Sequence, residues 1–112
     1  MPENNVVASP LLGMSGAEEV TFLGALGTGH GCWVPRPNDQ GSNWFYIDGI
    51  PVHLQTHHWA VHCCPALPEC HDSYLAAGSP LFYIDGLQVG RHNDPVACGS
   101  RVAEHYSWVH FD

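Results

Sequence analysis

The feature that most constrains this sequence is an internal repeat. Residues 41–52 recur 37 positions later as residues 78–89, and eight of the twelve positions are identical. Each copy contains an aromatic and β-branched run, an Asp-Gly pair and a second apolar run, which is the pattern typical of a β-hairpin with a two-residue type I′ turn. The repeat therefore predicts two equivalent hairpins that turn at Asp48-Gly49 and Asp85-Gly86.

A third, partial copy of the repeat is present near the end of the chain. Residues 107–111 resemble the first strand of the repeat and stop before a turn. We expect this last strand to pair with a part of the chain that is already folded. Three repeat segments of this kind predict an all-β domain with pseudo-threefold internal symmetry.

The beginning of the chain differs from the repeats. Residues 1–20 are predicted to be an N-terminal extension, for which a mobile terminus is one interpretation, and residues 21–112 to be the folded domain. The one candidate helix covers residues 17–25, where Ser15 or Gly16 provides a cap and Glu18 and Glu19 suit the positive end of a helix dipole. Residues 20–22 fit a strand equally well, so both alternatives stay open.

Composition limits the class of protein. The chain has 112 residues, enough for one modest core, and 45% of them are hydrophobic, which is too many for a disordered chain. Only 3 Lys and Arg stand against 11 Asp and Glu, a net charge of −8 that argues against binding to nucleic acid or anionic membranes. The first 20 residues lack a basic segment followed by a long apolar run, so we expect no signal peptide and synthesis in a host cytoplasm.

Metal-ligating residue types are in excess, with nine histidines and five cysteines. In a reducing compartment, an odd number of cysteines indicates ligands and buried thiols rather than a disulfide framework. We therefore expect Cys32, Cys63 and Cys64 to be small buried apolar residues. Metal binding is the first function that this composition predicts.

Two other functions agree with the same residues. His58 and His62 have the His-x-x-x-His spacing of a metalloprotease helix, although Trp59 stands where that motif needs a glutamate base and two prolines follow closely. A small zinc-dependent hydrolase is therefore one alternative. A metal-buffering or redox protein built on the cysteines is another, although Cys-x-x-Cys spacing is absent.

Several motifs follow one another along the chain: Gly29-His30-Gly31, Gly41-Ser42 with the strand that ends in Asp48-Gly49, Trp59-Ala60-Val61-His62, His71, Gly78-Ser79 with Phe82-Tyr83-Ile84-Asp85-Gly86, and Arg91-His92-Asn93-Asp94-Pro95-Val96-Ala97-Cys98-Gly99-Ser100. Together these motifs resemble the PAAR-repeat proteins, which form the sharp tip of contractile-tail spikes in phages and type VI secretion systems. The likeness covers about residues 28–112. The sequence departs from the family's Arg-x-Gly-Asp in both repeats, with His53-Leu54-Gln55-Thr56 in the first and Asn93-Asp94 in the second.

The resemblance implies a fold and a metal site. The fold is a small cone of short β-hairpins, stapled near its vertex by one structural zinc ion. The ligands carried over to this sequence are His30, His62, His71 and Cys98. Four protein ligands make a closed structural site, and iron would accept the same donors. Cys63 and Cys64 lie close to His62, and Cys70 lies beside His71, so a ligand set in which one of these cysteines replaces a histidine stays open as an alternative. The other histidines are expected to stay away from the metal.

The resemblance also implies a role without catalysis. The chain would cap and sharpen the end of a homotrimeric β-helical spike, one tip per trimer, and would aid membrane piercing through transient contact with the target-cell membrane. No residue is expected to be catalytic, and no nucleic acid is expected as a partner. The expected location is the tip of a virion tail or of a secretion-system spike.

Overall fold

The computed structural model describes residues 5–6 and 18–111, and within these ranges all regular secondary structure is β. The all-β prediction is therefore confirmed. The helix alternative for residues 17–25 is wrong over its described part, because residues 18–19 form a strand and an isolated bridge and a turn follow. The strands are β1 (Asn5–Val6), β2 (Glu18–Glu19), β3 (Tyr46–Ile47), β4 (Ile50–Pro51), β5 (His58–Cys64), β6 (Glu69–Tyr74), β7 (Tyr83–Ile84), β8 (Leu87–Gln88) and β9 (His110–Phe111).

The two predicted hairpins are present. β3 pairs antiparallel with β4, and β7 pairs antiparallel with β8. In the first turn Asp48 has φ 50° and Gly49 has φ 78°, and in the second Asp85 has 55° and Gly86 has 76°. Positive φ at both central residues defines the type I′ turn, so the Asp-Gly prediction is confirmed in both copies.

A buried serine anchors each hairpin in the same way. The Ser42 hydroxyl accepts the backbone N–H groups of Trp44 and Phe45 at 3.2 and 3.0 Å. In the second copy Ser79 accepts two N–H groups at the same distances, 3.2 and 3.0 Å, from Leu81 and Phe82. The Gly-Ser that opens each repeat is therefore a structural element of the hairpin.

Three antiparallel bridges close the repeats into a ring, here called the first ring. The bridges are Phe22↔Val52, Leu54↔Val89 and Arg91↔Val20. The ring thus has three segments, residues 20–22, 52–54 and 89–91. Each segment contributes its first and its last residue and so pairs with both of the other segments. The side chains that form a core around this ring are buried: Val20, Ile47, Val52, Leu54, Ile84, Val89 and Val109.

A tight turn of the same conformation follows each of the three segments of the first ring. In each turn the fourth residue donates its backbone N–H to the carbonyl of the first: Ala25 to Phe22 at 3.2 Å, His57 to Leu54 at 3.0 Å and Asp94 to Arg91 at 3.1 Å. The third residue of each turn has a positive φ: 90° at Gly24, 75° at Thr56 and 68° at Asn93. This equivalence is the structural form of the pseudo-threefold repeat.

The departures from the family's Arg-x-Gly-Asp leave this turn intact. Asn93 takes the left-handed position of the glycine, which asparagine tolerates better than most residues. In the first repeat the turn is Leu54–His57, one residue later than the sequence comparison placed it. There the Leu54 N–H donates to His57 Nδ1 at 3.2 Å, whereas the Arg91 N–H donates to the Asp94 carboxylate at 2.7 Å. Burial lowers the pKa of His57, which keeps the imidazole in its accepting, neutral form.

A second ring of bridges follows the first along the chain. It surrounds a second core of Trp59, Leu75, Val96 and Val102. The bridges of this second ring are Leu26↔Pro37, Asn38↔Trp59, Leu75↔Val96 and Gly27↔Val102.

Two further strand pairs involve strands near the two ends of the chain. β1 pairs parallel with β3. β9 pairs antiparallel with β2, so the last strand does join a folded part of the chain, as expected. Within residues 5–6 and 18–111 there is no helix of the length and apolarity needed to cross a membrane.

Candidate metal centre

Four metal-ligating side chains meet beyond the second ring. Three segments each run from the first ring through the second and reach one of these residues: His30 after Gly27, His62 after Trp59, and Cys98 after Val96. His71 lies in β6, which pairs with β5, the strand that contains His62. One donor atom from each of the four residues lies within 4.8 Å of the others, so the group can hold a metal ion.

The β5–β6 hairpin supplies two of the imidazoles. His62 and His71 are Cα partners across this hairpin. Trp59 and His62 are three residues apart in β5 and would face opposite ways in a regular strand, yet both are buried. The pairing register shifts between them, and an irregularity of this type inserts a residue and turns His62 inward.

A tight turn supplies the third imidazole. His30 and Trp33 exchange two backbone hydrogen bonds, of 3.0 and 2.9 Å. The preceding Gly29 has φ +74°, and a Cβ there would lie 2.6 Å from the Trp33 carbonyl oxygen, so only glycine fits. The Trp33 ring stacks on His30 at a centroid distance of 5.0 Å and lies 5.1 Å from His71. This indole covers one side of the cluster.

Cys98 lies in a turn that docks on β6. Its backbone N–H donates to the Ser73 hydroxyl at 2.9 Å, and the N–H of Ala97 donates to the Tyr74 carbonyl at 2.9 Å. The N–H of Gly99 closes the turn on the Val96 carbonyl at 2.9 Å. Hydrogen bonds to β6 therefore bring the thiol to the three imidazoles.

The distances between the donor atoms fit a tetrahedral ion. The Nε2 atoms of His30, His62 and His71 lie 3.1, 3.0 and 2.7 Å apart, and the Cys98 Sγ lies 3.8 Å from the His62 Nε2. Zinc bond lengths place two tetrahedral nitrogen ligands about 3.3 Å apart and a nitrogen and a sulfur about 3.6 Å apart. Small outward movements of the imidazoles are enough to accommodate the ion.

The imidazoles are prepared to act as ligands. The Nδ1–H of His62 donates to the Val34 carbonyl at 2.8 Å, which leaves the Nε2 lone pair directed at the cluster. Burial, and after it the neighbouring His62 and His71, lower the pKa of His30. A lowered pKa favours the neutral ring, which is the form that binds metal.

The other four cysteines form two disulfides, Cys32–Cys64 and Cys63–Cys70, and Cys98 is the free one. The expectation of buried thiols at Cys32, Cys63 and Cys64 is therefore wrong, because all three are in disulfides, and Cys32 and Cys63 are exposed. It rested on an assumed reducing compartment rather than on geometry. A signal was present in the sequence: His62-Cys63 and Cys70-His71 are placed symmetrically about the turn between them, so the cysteines face each other if the histidines do.

The described histidines outside the cluster have other partners. His58 lies between two carboxylates, with Nδ1 2.5 Å from Asp39 and Nε2 2.7 Å from Asp72, and hydrogen bonds to Asp72 and then Asp39 raise its pKa. Because residues 58–64 form the strand β5, the metalloprotease helix of the hydrolase alternative is absent. The side chain of His110 lies outside the described residues. His53 and His57 belong to the interior, and His92 and His105 lie beside Glu18 and Glu19.

A comparison of the sequence with known protein families gives a match that includes this cluster. The family model described as the PAAR motif matches residues 28–104, a range that contains all four residues of the cluster. No curated protein matches the chain. Because the match covers most of the sequence, the chain belongs to the PAAR-motif family, which is a structural family of spike tips in contractile injection systems.

Proposed function

We propose that this chain caps and sharpens the end of a homotrimeric β-helical spike, with one chain per trimer. The observation that carries the proposal is the family match over residues 28–104, which includes both hairpins and the metal cluster. The internal symmetry supports it: three equivalent segments form the first ring, and a chain with that arrangement can present a similar edge to each of three spike chains.

The proposed metal is one structural zinc ion bound by His30, His62, His71 and Cys98. Three imidazoles and one thiolate suit zinc, and four protein ligands leave no open coordination position for a water or a substrate. When bound, the ion supplies a cross-link between segments that otherwise meet through hydrogen bonds. This closed ligand set supports a structural role, and we assign no catalytic residue.

The proposed spike-binding surface lies on the two hairpins. Trp44, Leu81, Phe82 and Tyr83 are exposed, Leu81 to 66% and Tyr83 to 53%. The Trp44 indole N–H donates to the Asp85 carboxylate at 2.7 Å, so the two hairpins form one surface. Exposed apolar patches on a small soluble domain mark interaction sites. The end of a β-helical spike also offers apolar side chains and open backbone groups.

The proposed location follows from the same role. The chain would be made in a host cytoplasm and assembled at the tip of a phage tail or of a secretion-system spike. The metal ligands follow the second ring along their segments, so the metal centre would lie near the leading end and touch the target-cell membrane transiently during penetration. The short turn between β5 and β6, with exposed Leu67, is part of that end.

Binding to a trimeric β-helical spike fragment tests the proposal. We expect size-exclusion chromatography with light scattering to detect one chain per trimer. The Leu81→Asp and Phe82→Asp double variant should lose the complex, because it charges the apolar surface. Leu67→Asp changes another exposed leucine, on the hairpin that carries two of the metal ligands, and serves as the control that keeps binding. Equal binding of both variants, or no complex with the wild type, would contradict the proposal.

A further inference from the structure

A disulfide lies directly beside the two imidazoles of the β5–β6 hairpin. Cys63 and Cys70 are Cα partners in this hairpin, next in register to His62 and His71, and their Cα atoms are 4.1 Å apart. His62 is bonded directly to Cys63 in β5, and Cys70 is bonded directly to His71 in β6, so one peptide unit on each strand separates the disulfide from the imidazole pair. The covalent bond therefore fixes the spacing of the strands at the place where the two imidazoles meet.

The second disulfide holds the third imidazole. Cys32 lies inside the turn from His30 to Trp33, and Cys64 lies two residues after His62. Residues two apart in a strand share a face, and His62 and Cys64 are both buried. The bond between Cys32 and Cys64 closes a sequence separation of 32 residues, and it fixes the His30 turn against β5.

Cys98 reaches the cluster without a covalent connection of this kind. Its segment docks on β6 through the N–H groups of Ala97 and Cys98, which donate to Tyr74 and Ser73. The cluster thus has two parts: three imidazoles on one covalently closed frame, and a thiol on a segment held by hydrogen bonds. The frame consists of the His30 turn, β5, β6 and the two disulfides.

We propose that these two disulfides are positioning cross-links of the metal centre, and that their redox state sets how fast the chain releases its metal. The inference rests on the ligand set proposed above. With both bonds formed, the frame keeps the three imidazoles near their binding positions even when no metal is bound. An ion that leaves one ligand then rebinds before the others separate, because the ligands are preorganised. With the bonds reduced, the His30 turn and the two strands can move apart.

The redox step balances with an ordinary dithiol. Reduction of one disulfide takes up two electrons and two protons and gives two thiols, and the dithiol that supplies them becomes a cyclic disulfide. The reaction proceeds by attack of a thiolate on one sulfur of the bond, so access decides its rate. Cys63 and Cys70 are both exposed, whereas in the other bond Cys32 is exposed and Cys64 is buried. We expect the bond between Cys63 and Cys70 to be reduced first.

Zinc release measures the effect directly. The oxidised full chain is loaded with Zn²⁺ and mixed with an excess of a chromophoric chelator, and the release rate is followed. We expect release at least tenfold faster from Cys63→Ser/Cys70→Ser and from Cys32→Ser/Cys64→Ser. Serine does not bind zinc, so no new thiolate competes for the ion. Val61→Ser/Leu67→Ser changes two exposed residues of the same hairpin without touching a cross-link, and should release zinc at the wild-type rate.

Each outcome decides between the proposals. Wild-type release rates in both disulfide variants overturn the inference and leave the ligand set standing. An oxidised wild-type chain that binds no zinc overturns both. Should a serine variant fail to fold, the wild type supplies the second test, in which the dithiol is removed before zinc is loaded because a dithiol itself binds zinc. Release should be faster from the reduced chain and slow again after reoxidation, and a rate that reduction leaves unchanged overturns the inference.

Discussion

His62 and His71 face each other across the β5–β6 hairpin, with their Nε2 atoms 2.7 Å apart. Two imidazoles at this separation share one small volume, and His30 and Cys98 direct their donor atoms at the same point. The hairpin, the tight turn before Trp33 and the turn at Cys98 come from three different parts of the sequence. The convergence of the four donor atoms therefore depends on the two rings of bridges that hold these segments together.

The turn that carries His30 should depend strongly on glycine. An alanine at Gly29 would need φ +74° and would place its Cβ 2.6 Å from the Trp33 carbonyl oxygen. We expect Gly29→Ala to lower the free energy of unfolding by about 2 to 4 kcal/mol, through strain and overlap together. Gly31→Ala is the matched control, because its φ is +53° but no atom lies within 4 Å of the added Cβ.

Urea unfolding of both glycine variants checks this prediction. Gly31→Ala should lower the free energy of unfolding by only about 1 to 2 kcal/mol, the cost of the left-handed backbone alone. Zinc affinity should fall more in Gly29→Ala than in Gly31→Ala, since the displaced turn holds His30. Equal effects of the two substitutions would mean that the close approach to Trp33 does not constrain the turn.

The buried His53 should make the protein sensitive to acid. Its Nδ1–H donates to the Gln40 carbonyl at 2.7 Å, and burial lowers its pKa to about 3 from the ordinary value of 6.5. Between these values the unfolded chain binds a proton that the folded chain does not. Stability from this group is therefore complete above pH 6.5 and falls as the pH decreases, by about 1.4 kcal/mol per pH unit.

Comparison of the wild type with His53→Asn isolates this contribution. The amide can still donate to the Gln40 carbonyl but does not titrate. Between about pH 6 and pH 4, the free energy of unfolding should therefore depend less on pH in His53→Asn than in the wild type. The metal ligands contribute to both proteins equally. If the two proteins show the same pH slope, the neutral buried state assigned to His53 is wrong.

The ion pair in the last turn of the first ring should be structurally important. Arg91 and Asp94 are 3.1 Å apart, and their side chains are only 15% and 9% exposed. The carboxylate also accepts the backbone N–H of Arg91 at 2.7 Å. Asp94→Ala leaves a largely buried guanidinium without this carboxylate, and we expect a loss of about 3 kcal/mol in the free energy of unfolding.

An exposed carboxylate provides the comparison for Asp94. Asp39 pairs with His58 at the surface, where solvent screens the interaction. Thermal unfolding should therefore shift strongly in Asp94→Ala and little in Asp39→Ala. A small shift in Asp94→Ala would show that the turn is held by its backbone hydrogen bonds alone.

The sequence predicted those parts of the fold that depend on local chemistry. Each Asp-Gly pair specifies its own type I′ turn, and the repeat places the same turn twice, so both hairpins were predictable. The irregular register before His62 was not, because it depends on how Trp59 packs in the second core. The role of His57 in place of a carboxylate likewise appears only when the two turns are compared in three dimensions.

The candidate ligands came from family resemblance, and the structure brings all four of them together. The disulfides were missed for a different reason. Whether two cysteines can join depends on the distance between their Cα atoms, here 5.1 and 4.1 Å, and this distance follows from strand register rather than from composition. The symmetric placement of Cys63 and Cys70 was informative only together with the hairpin.

The most direct test of the metal centre is native mass spectrometry of the purified chain, with and without a chelator. We predict one zinc ion per chain, with affinity reduced by about a hundredfold or more in Cys98→Ser and in His62→Ala, and a folded state that loses stability when the metal is removed. A stably folded chain that binds no metal, or zinc that remains bound in both variants, would contradict the assignment of these four residues.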